Sequence, residues 1–269
     1  FNFFRCFYFT SFSTFVDIAI IGNLNLSNIK NEFIIKGVHL EGLRKVGDPN
    51  KSARKYYIQG ADELVFMDAV AAYYDRNSLL HIIKEACHDV FIPITVGGGL
   101  RSLDDIQNAL NAGADKVAIN TMAIKDPSFI EKAAKKFGSQ CIVASIVAKR
   151  TSLNNWEAFT GNGREPSGLC AIEWAKELEN KGAGELMVTS IDSDGTKKGF
   201  DIELNQAITS HSGIPVIASG GAGTNKHIVD LVENSKVDAI AVASILHYDI
   251  SDIKSIKSSM RKQQINVRL

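Results

Sequence analysis

Residues 94–121, ITVGGGLRSLDDIQNALNAGADKVAINT, constrain the fold more than any other stretch, because their design occurs twice. Ile94–Val96 is short, apolar and β-branched, and Gly97, Gly98 and Gly99 follow at once. Leu103, Ile106, Leu110 and Ala114 then recur at three- and four-residue spacing, which marks one face of a helix. Val117–Ile119 is a second apolar run, closed by Asn120 and Thr121. The same order returns from Ile214 to Ala218, through Ser219-Gly220-Gly221-Ala222-Gly223, a helical stretch, and Asp238–Val242 ending in Ala243-Ser244. Gly99 and Gly221 lie 122 residues apart, and Thr121 and Ser244 lie 123 apart. Ahead of each copy, Gly60-Ala61-Asp62-Glu63-Leu64 and Gly182-Ala183-Gly184-Glu185-Leu186 are again 122 apart. Three matches in one order imply a duplicated half.

The rest of the chain fits that plan. Apolar strands at Leu64–Asp68, Cys141–Val147 and Glu185–Ile191 alternate with helical patterns at Lys51–Gln59, Ser78–His88, Pro127–Phe137, Leu169–Lys181, Ile202–Ser210, His227–Asn234 and Ser251–Arg261. A first strand falls within Ile18–Ile29, with the weakest signal of the set. Strands apolar on both faces and separated by helices predict a parallel sheet. Eight such units in roughly 250 residues match a single (β/α)8 TIM barrel of the α/β class, with a half-barrel duplication, better than an open sheet. Residues 148–167 are polar and aperiodic, which suggests a hairpin or a functional loop. Asp48 and Pro49 are the expected cap and first turn of the helix that follows.

Composition bounds the function. The chain has 269 residues with 30 basic and 30 acidic side chains, so nothing in its charge favours nucleic acid or a membrane surface. Cys6, Cys87, Cys141 and Cys170 are scattered and read as free thiols of a reducing compartment, with no metal or cofactor site implied. Residues 1–20 crowd eight aromatic side chains before Asp17 and are expected to be an atypical extension, leaving 21–269 as the barrel. They lack the cleavage site of a signal peptide and fall short of a membrane span.

The working face of such a barrel lies where strands lead into helices. Glycines there let backbone N–H groups approach an anion. Gly99 with Asn120 and Thr121, and Gly221 with Ala243 and Ser244, therefore predict two phosphate sites on opposite sides of one mouth. A long substrate with a phosphate at each end would bridge them. Asp194-Gly195-Thr196 could add a carboxylate, a backbone donor and a hydroxyl, although a plain Asp-Gly turn explains the pair equally well. Lys36, Lys116 and Lys149 lie near strand ends, where surface lysine is the default. The histidines have no ligand spacing, and His247 reads as a loop or interface residue.

Ten segments also carry a likeness: IIKG (34–37), GDP (47–49), DELVFMD (62–68), TVGGG (95–99), GADKVAINT (113–121), FGSQCIV (137–143), AKR (148–150), GAGELMVTSIDSDGTKKGFD (182–201), PVIASGGAG (215–223) and NVR (266–268). From about Ser27 to Leu269 the chain resembles the cyclase subunit of imidazole glycerol phosphate synthase, in histidine biosynthesis. The phosphoribosyl isomerase of that pathway shares the duplicated barrel. The resemblance implies a cytoplasmic barrel docked on a glutaminase subunit as a heterodimer, with no cofactor. Ammonia from that partner would cross the barrel and react with a bis-phosphorylated ribulosyl-aminoimidazole intermediate. The products would be imidazole glycerol phosphate and aminoimidazole carboxamide ribotide.

By the same resemblance, Gly99, Asn120 and Thr121 hold one phosphate, and Asp194, Gly195, Gly221, Ala243 and Ser244 hold the other. The charged ammonia gate at the barrel floor maps to Glu63, Lys116 and Glu185. Its arginine would fall about Gly22 and is absent. The family's two catalytic Asp residues map, counting back from IIKG and AKR, to Asn28 and Val147, so both acids are missing. Asp68 and Asp192 are the carboxylates nearby. A divergent branch of the family that delivers ammonia to surface-polysaccharide sugars has similar wording at NEFIIKG and HLEGLRKVGDPN. Two further readings follow from this. One is an ammonia-conducting partner of a glutaminase in sugar amidotransfer, and the other is a non-catalytic bis-phosphate binder.

Overall fold

A computed structural model describes residues 16–25, 33–68 and 79–268. Eight parallel strands form the barrel: β1 (Asp17–Asn25), β4 (Glu63–Asp68), β5 (Ile94–Gly97), β6 (Lys116–Ile119), β7 (Ile142–Ser152), β10 (Glu185–Ser190), β11 (Val216–Ser219) and β12 (Ala239–Val242). Each pairs in parallel with its neighbours, and the β7–β10 and β12–β1 pairings close the ring. Helices α1 (Pro49–Gln59), α2 (Leu79–Asp89), α3 (Leu103–Asn111), α4 (Thr121–Lys125), α5 (Ser128–Phe137), α6 (Ala171–Asn180), α7 (Ile202–Thr209), α8 (Asn225–Ser235), α9 (Ser244–His247) and α10 (Ile253–Lys262) lie between and after them. The single (β/α)8 barrel is therefore the fold.

Two antiparallel excursions leave the ring. β2 (Phe33–Val38) and β3 (Glu41–Gly47) form a hairpin after β1, and β8 (Asn155–Thr160) with β9 (Glu165–Cys170) extends from β7. The polar, aperiodic stretch after Ala148 is thus a hairpin. Its base is pinned by Trp156, which is buried, donates from Nε1 to Asp201 Oδ2 at 2.9 Å and lies 4.5 Å beneath the Arg150 guanidinium. Arg150 in turn donates to Asp201 and Glu203.

The first strand begins at Asp17, within the stretch 1–20 that composition set apart, and residues 1–15 lie outside those described. The aromatic crowding ends at Phe15, and Asp17–Ile20 pairs residue by residue with Ala239–Val242. Asp48 caps α1 by accepting from Lys51 N at 2.9 Å, as its sequence position before Pro49 predicted.

The two halves are alike in contact as well as sequence. A Cβ at Gly98 would strike the Asp68 carbonyl, and one at Gly220 would crowd the Ser190 carbonyl. Both members of each pair are 122 residues apart, and both glycines have φ of +93°. One core fills the barrel axis with Ala19, Val65, Ala118, Val143, Met187 and Ile217, and a larger one fills the space between strands and helices. Among the described residues no helix is long and apolar enough to cross a membrane. Cys87, Cys141 and Cys170 are free thiols. Trp156→Ala is expected to cost about 3–5 kcal/mol in urea unfolding, because it leaves a large cavity and strips Asp201 of a donor.

Candidate active site

The barrel mouth holds two cavities that share a wall. One, of roughly 700 Å³, runs along Asp194, Gly195, Gly220, Gly221, Ala243 and Ser244. The other, of roughly 910 Å³, runs along Gly98, Gly99, Asn120, Thr121, Arg101 and Lys125. Met67, Asp68, Ser145, Val147 and Asn162 line both, so the two join as one trough across the mouth. All eight residues mapped to phosphate contacts line this trough, divided between its ends as the two glycine turns are.

The β2–β3 hairpin is bolted across one side of the mouth. His39 N donates to Asp194 O at 2.8 Å, and His39 Nδ1 lies 2.8 Å from Ile191 O, placed to donate to it. Gly195 sits against the Gly37 carbonyl, where any Cβ would collide. This docking delivers Lys36, whose ammonium reaches both Asp194 oxygens at 2.7 and 2.9 Å. Both side chains are only 5 % exposed. Lys36 is thus no surface lysine, and the Asp194 carboxylate serves a buried ion pair.

The tip of the β8–β9 hairpin closes on the trough from the other side. Asn120 Nδ2 donates to Phe159 O at 3.0 Å, and Gly161 N to Thr121 Oγ1 at 3.4 Å. Asn162, in the left-handed region at φ +57°, lines both cavities from this tip. Only the GNG turn signal marked it in sequence, and a turn says nothing of where it docks.

Val147 is buried and packs with Leu40, Ile191 and the half-buried Phe159. The position mapped to the second catalytic acid is therefore lined by hydrocarbon. Asn28 lies outside the described residues. The register puts Asn23 beside Met67 and Val147 beside Thr189. Met67 and Thr189 are 122 apart, so Asn23 is the strand-1 position level with Val147. Of the two nearby carboxylates, Asp68 is buried and lines both cavities. Asp192 is exposed and accepts from Arg150 N at 2.8 Å, away from the trough.

At the opposite end, the N-terminal residues of the strands build a charged floor. Lys116 Nζ donates to Glu63 Oε2 at 2.8 Å and to both Glu185 oxygens at 2.9 and 3.0 Å, and Thr95 Oγ1 donates to Glu63 Oε1. Burial alone would lower the Lys116 ammonium, but Glu63 and Glu185 outweigh it and hold it above the ordinary lysine range. Burial, with Glu63 adding to it, raises Glu185. Gly22, where the family arginine was expected, pairs with Phe66 well above the floor, and Asp17 occupies the floor end of β1. A guanidinium arrives instead from the C-terminal segment: Arg268 Nε lies 3.1 Å from Asp17 Oδ1. Among the described residues no group of three or more His, Cys, Asp or Glu is placed to hold a metal ion.

A family model described as "Histidine biosynthesis protein" matches residues 19–252, nearly the whole barrel. The chain belongs to the histidine biosynthesis protein family. That family contains the isomerase and cyclase barrels of the pathway, and its members are enzymes. The duplicated histidine biosynthesis barrel accounts for the paired glycine turns at the mouth.

Asp17 offers a test of the floor. Burial, helped by Asp62 and Glu63 and opposed by Arg268 and Lys257, raises its carboxyl from 3.8 to about 6. A carboxyl held this high binds protons more tightly in the folded than in the unfolded chain. Stability is therefore full below about pH 4, falls as pH rises through about 6, and stays lower above, by up to about 3 kcal/mol. Asp17→Asn is expected to remove that loss. It should be more stable than the parent in urea unfolding at about pH 7.5, and lose the advantage at about pH 4.

Proposed function

We propose that this chain is a cyclase-type barrel of the imidazole glycerol phosphate synthase kind, which binds a bis-phosphorylated sugar derivative along the trough and receives ammonia from a glutaminase at its floor. The observation that carries the reading is the pair of glycine turns, one in each of two adjoining cavities across the mouth. Backbone N–H groups at such turns suit phosphate oxygens, since they offer donors without a side chain in the way.

Cyclisation needs proton transfer at both ends of the reacting group, which two facing carboxylates would supply. Neither Val147 nor the amide at Asn23 or Asn28 can do this. Each lost acid is worth roughly 10²–10⁴ in rate. We infer that the chain binds the intermediate but cyclises it feebly, with Asp68 the only carboxylate shared by both halves of the described trough.

A second reading is favoured by the floor. Glu63, Lys116 and Glu185 are retained and fully paired although the acids are not. A barrel that conducts ammonia to a different acceptor, such as a sugar of a surface polysaccharide, needs the floor and not the acids. Partner docking at this end has further support in two exposed apolar side chains. Ile58, at the end of α1, is 67 % exposed, and Phe91, just before β5, is 58 % exposed. Both precede strand starts, which lie at the floor.

Turnover of the ribulosyl intermediate with saturating ammonium tests the first reading. The unmutated chain should bind it and show negligible cyclisation. Val147→Asp alone should not restore turnover, because the new carboxyl would sit against Leu40 and Ile191. Robust cyclisation by the unmutated chain would overturn this account. Binding to a glutaminase that raises glutamine hydrolysis without cyclisation would favour the conduit.

A further inference from the structure

Between the two glycine turns, Ser145 and Asn162 line both cavities of the mouth. Among the described residues neither the Ser145 hydroxyl nor the Asn162 amide has a hydrogen-bond partner. Ser145 is nevertheless buried, with only 2 % of its surface exposed. Its direction follows from the strand. Val143, two residues earlier on β7, belongs to the core along the barrel axis, so Ser145 faces the axis one layer nearer the mouth. Register sets it beside Met187 of β10, another axis residue. A hydroxyl thus stands unpaired where the packed axis opens into the cavities.

Asn162 reaches the same place from the β8–β9 hairpin. Gly163 N and Arg164 N both donate to Thr160 O, at 3.0 and 3.1 Å, and close the tip tightly. Gly163 lies against Leu40 and Ile191, which wedges the tip between the other hairpin and the end of β10. Asn162 takes φ of +57°, a conformation that its short side chain tolerates better than most. The turn is held by backbone bonds alone, so the amide is left for something else. A hydroxyl is donor and acceptor at once, and an amide offers both kinds of group, so the pair matches neutral alcohols. A bare hydrocarbon pressed against them would leave buried polar atoms unpaired, which carries a free-energy cost.

We propose that Ser145 and Asn162 form a hydroxyl-reading pair at the middle of the mouth, which selects a bis-phosphorylated ligand whose linking carbons carry hydroxyl groups over one with a hydrocarbon linker. The proposal rests on the trough reading above and deepens it by naming what decides between ligands of equal length and charge. The glycine turns are blind to the linker, since they meet only its ends. Val147 beside Ser145 supplies shape and no hydrogen bond. The two residues are specificity determinants: they touch the ligand's middle and take no part in moving a proton.

Isothermal titration of the full chain with ribulose 1,5-bisphosphate, pentane-1,5-diyl bisphosphate and ribose 5-phosphate tests this. The unmutated chain should bind the hydroxylated bisphosphate about tenfold or more tighter than the alkane one. Ser145→Ala should weaken the hydroxylated ligand about three- to tenfold, as expected of one neutral hydrogen bond, and change the alkane ligand less than about twofold. Asn162→Gly, which suits the positive φ, should show the same pattern, and the double variant should bind both bisphosphates about equally. Ser145→Ala breaks no bond within the protein and is expected to fold, which thermal unfolding checks; that variant alone decides the matter if the hairpin variant is unstable. Equal affinity of the unmutated chain for the two bisphosphates would overturn the pair, and so would variants that weaken both ligands alike or neither. The trough reading survives those results if both bisphosphates bind tighter than ribose 5-phosphate. Bisphosphates that bind no tighter than ribose 5-phosphate, or no binding of any of the three, would overturn the trough reading and the pair with it.

Discussion

Closure of eight parallel strands leaves every second side chain pointing at a common axis, and this crowding governs the rest of the molecule. The middle of that axis is filled by small and aliphatic groups such as Ala19, Ala118 and Val143. The floor is filled by charge. Three ionic side chains taken from water are tolerable only if their hydrogen bonds are met. Lys116 meets that condition by donating to Glu63 and Glu185 at once. Glu63 and Glu185 are duplication partners, so the pair of carboxylates came with the repeat, and the lysine between them resolves their repulsion. The same repeat fixed the mouth, where Gly98 and Gly220 allow neighbouring strand ends to approach without a Cβ between them.

What the repeat does not supply is added by segments that break it. The β2–β3 hairpin brings Lys36 and Leu40 over one side, and the β8–β9 hairpin brings Phe159 and Asn162 over the other. These two insertions meet at Val147 and Ile191. Where the hairpins meet, Leu40, Val147, Ile191 and Phe159 pack together beside the polar groups Asp68, Ser145 and Asn162 that line both cavities. At the floor, the C-terminal segment plays a comparable part, since Arg268 reaches Asp17 from the far end of the chain.

Legibility followed the range of the interaction. The strands, the capped α1 and the paired turns rest on local spacing, and the sequence pattern of each is complete within a few residues. The pairing of the two glycine turns was legible because a 122-residue offset is visible without any structure. The Lys36–Asp194 pair spans 158 residues, and no spacing rule reaches that far. Asn162 sits between two glycines at a hairpin tip, and its place at the mouth depends on where that hairpin docks. Counting back from IIKG mapped the first acid to Asn28, which lies outside the described residues. The register of β1 depends on hydrogen bonding to β4, which places Asn23 level with Met67 and which no residue count supplies. The floor shows the same effect: Gly22 was counted into the arginine position, whereas pairing puts Asp17 at the floor end of the strand.

Val147 stands where the resemblance maps the second acid, and its surroundings bear on that position. An aspartate there would have to be desolvated against Leu40, Ile191 and Phe159, and burial of a carboxyl favours its neutral form. The nearby buried cation, Lys36, is already held by Asp194 through two hydrogen bonds. An acid at position 147 would border Leu40, Ile191 and Phe159 on one side and the cavities that Asp68 and Ser145 line on the other. The apolar packing and the ion pair are consistent with each other and with a mouth organised for holding a ligand's ends. On the proposed reading, binding would use the backbone turns at the rim, whereas proton transfer would need ionisable groups at the centre.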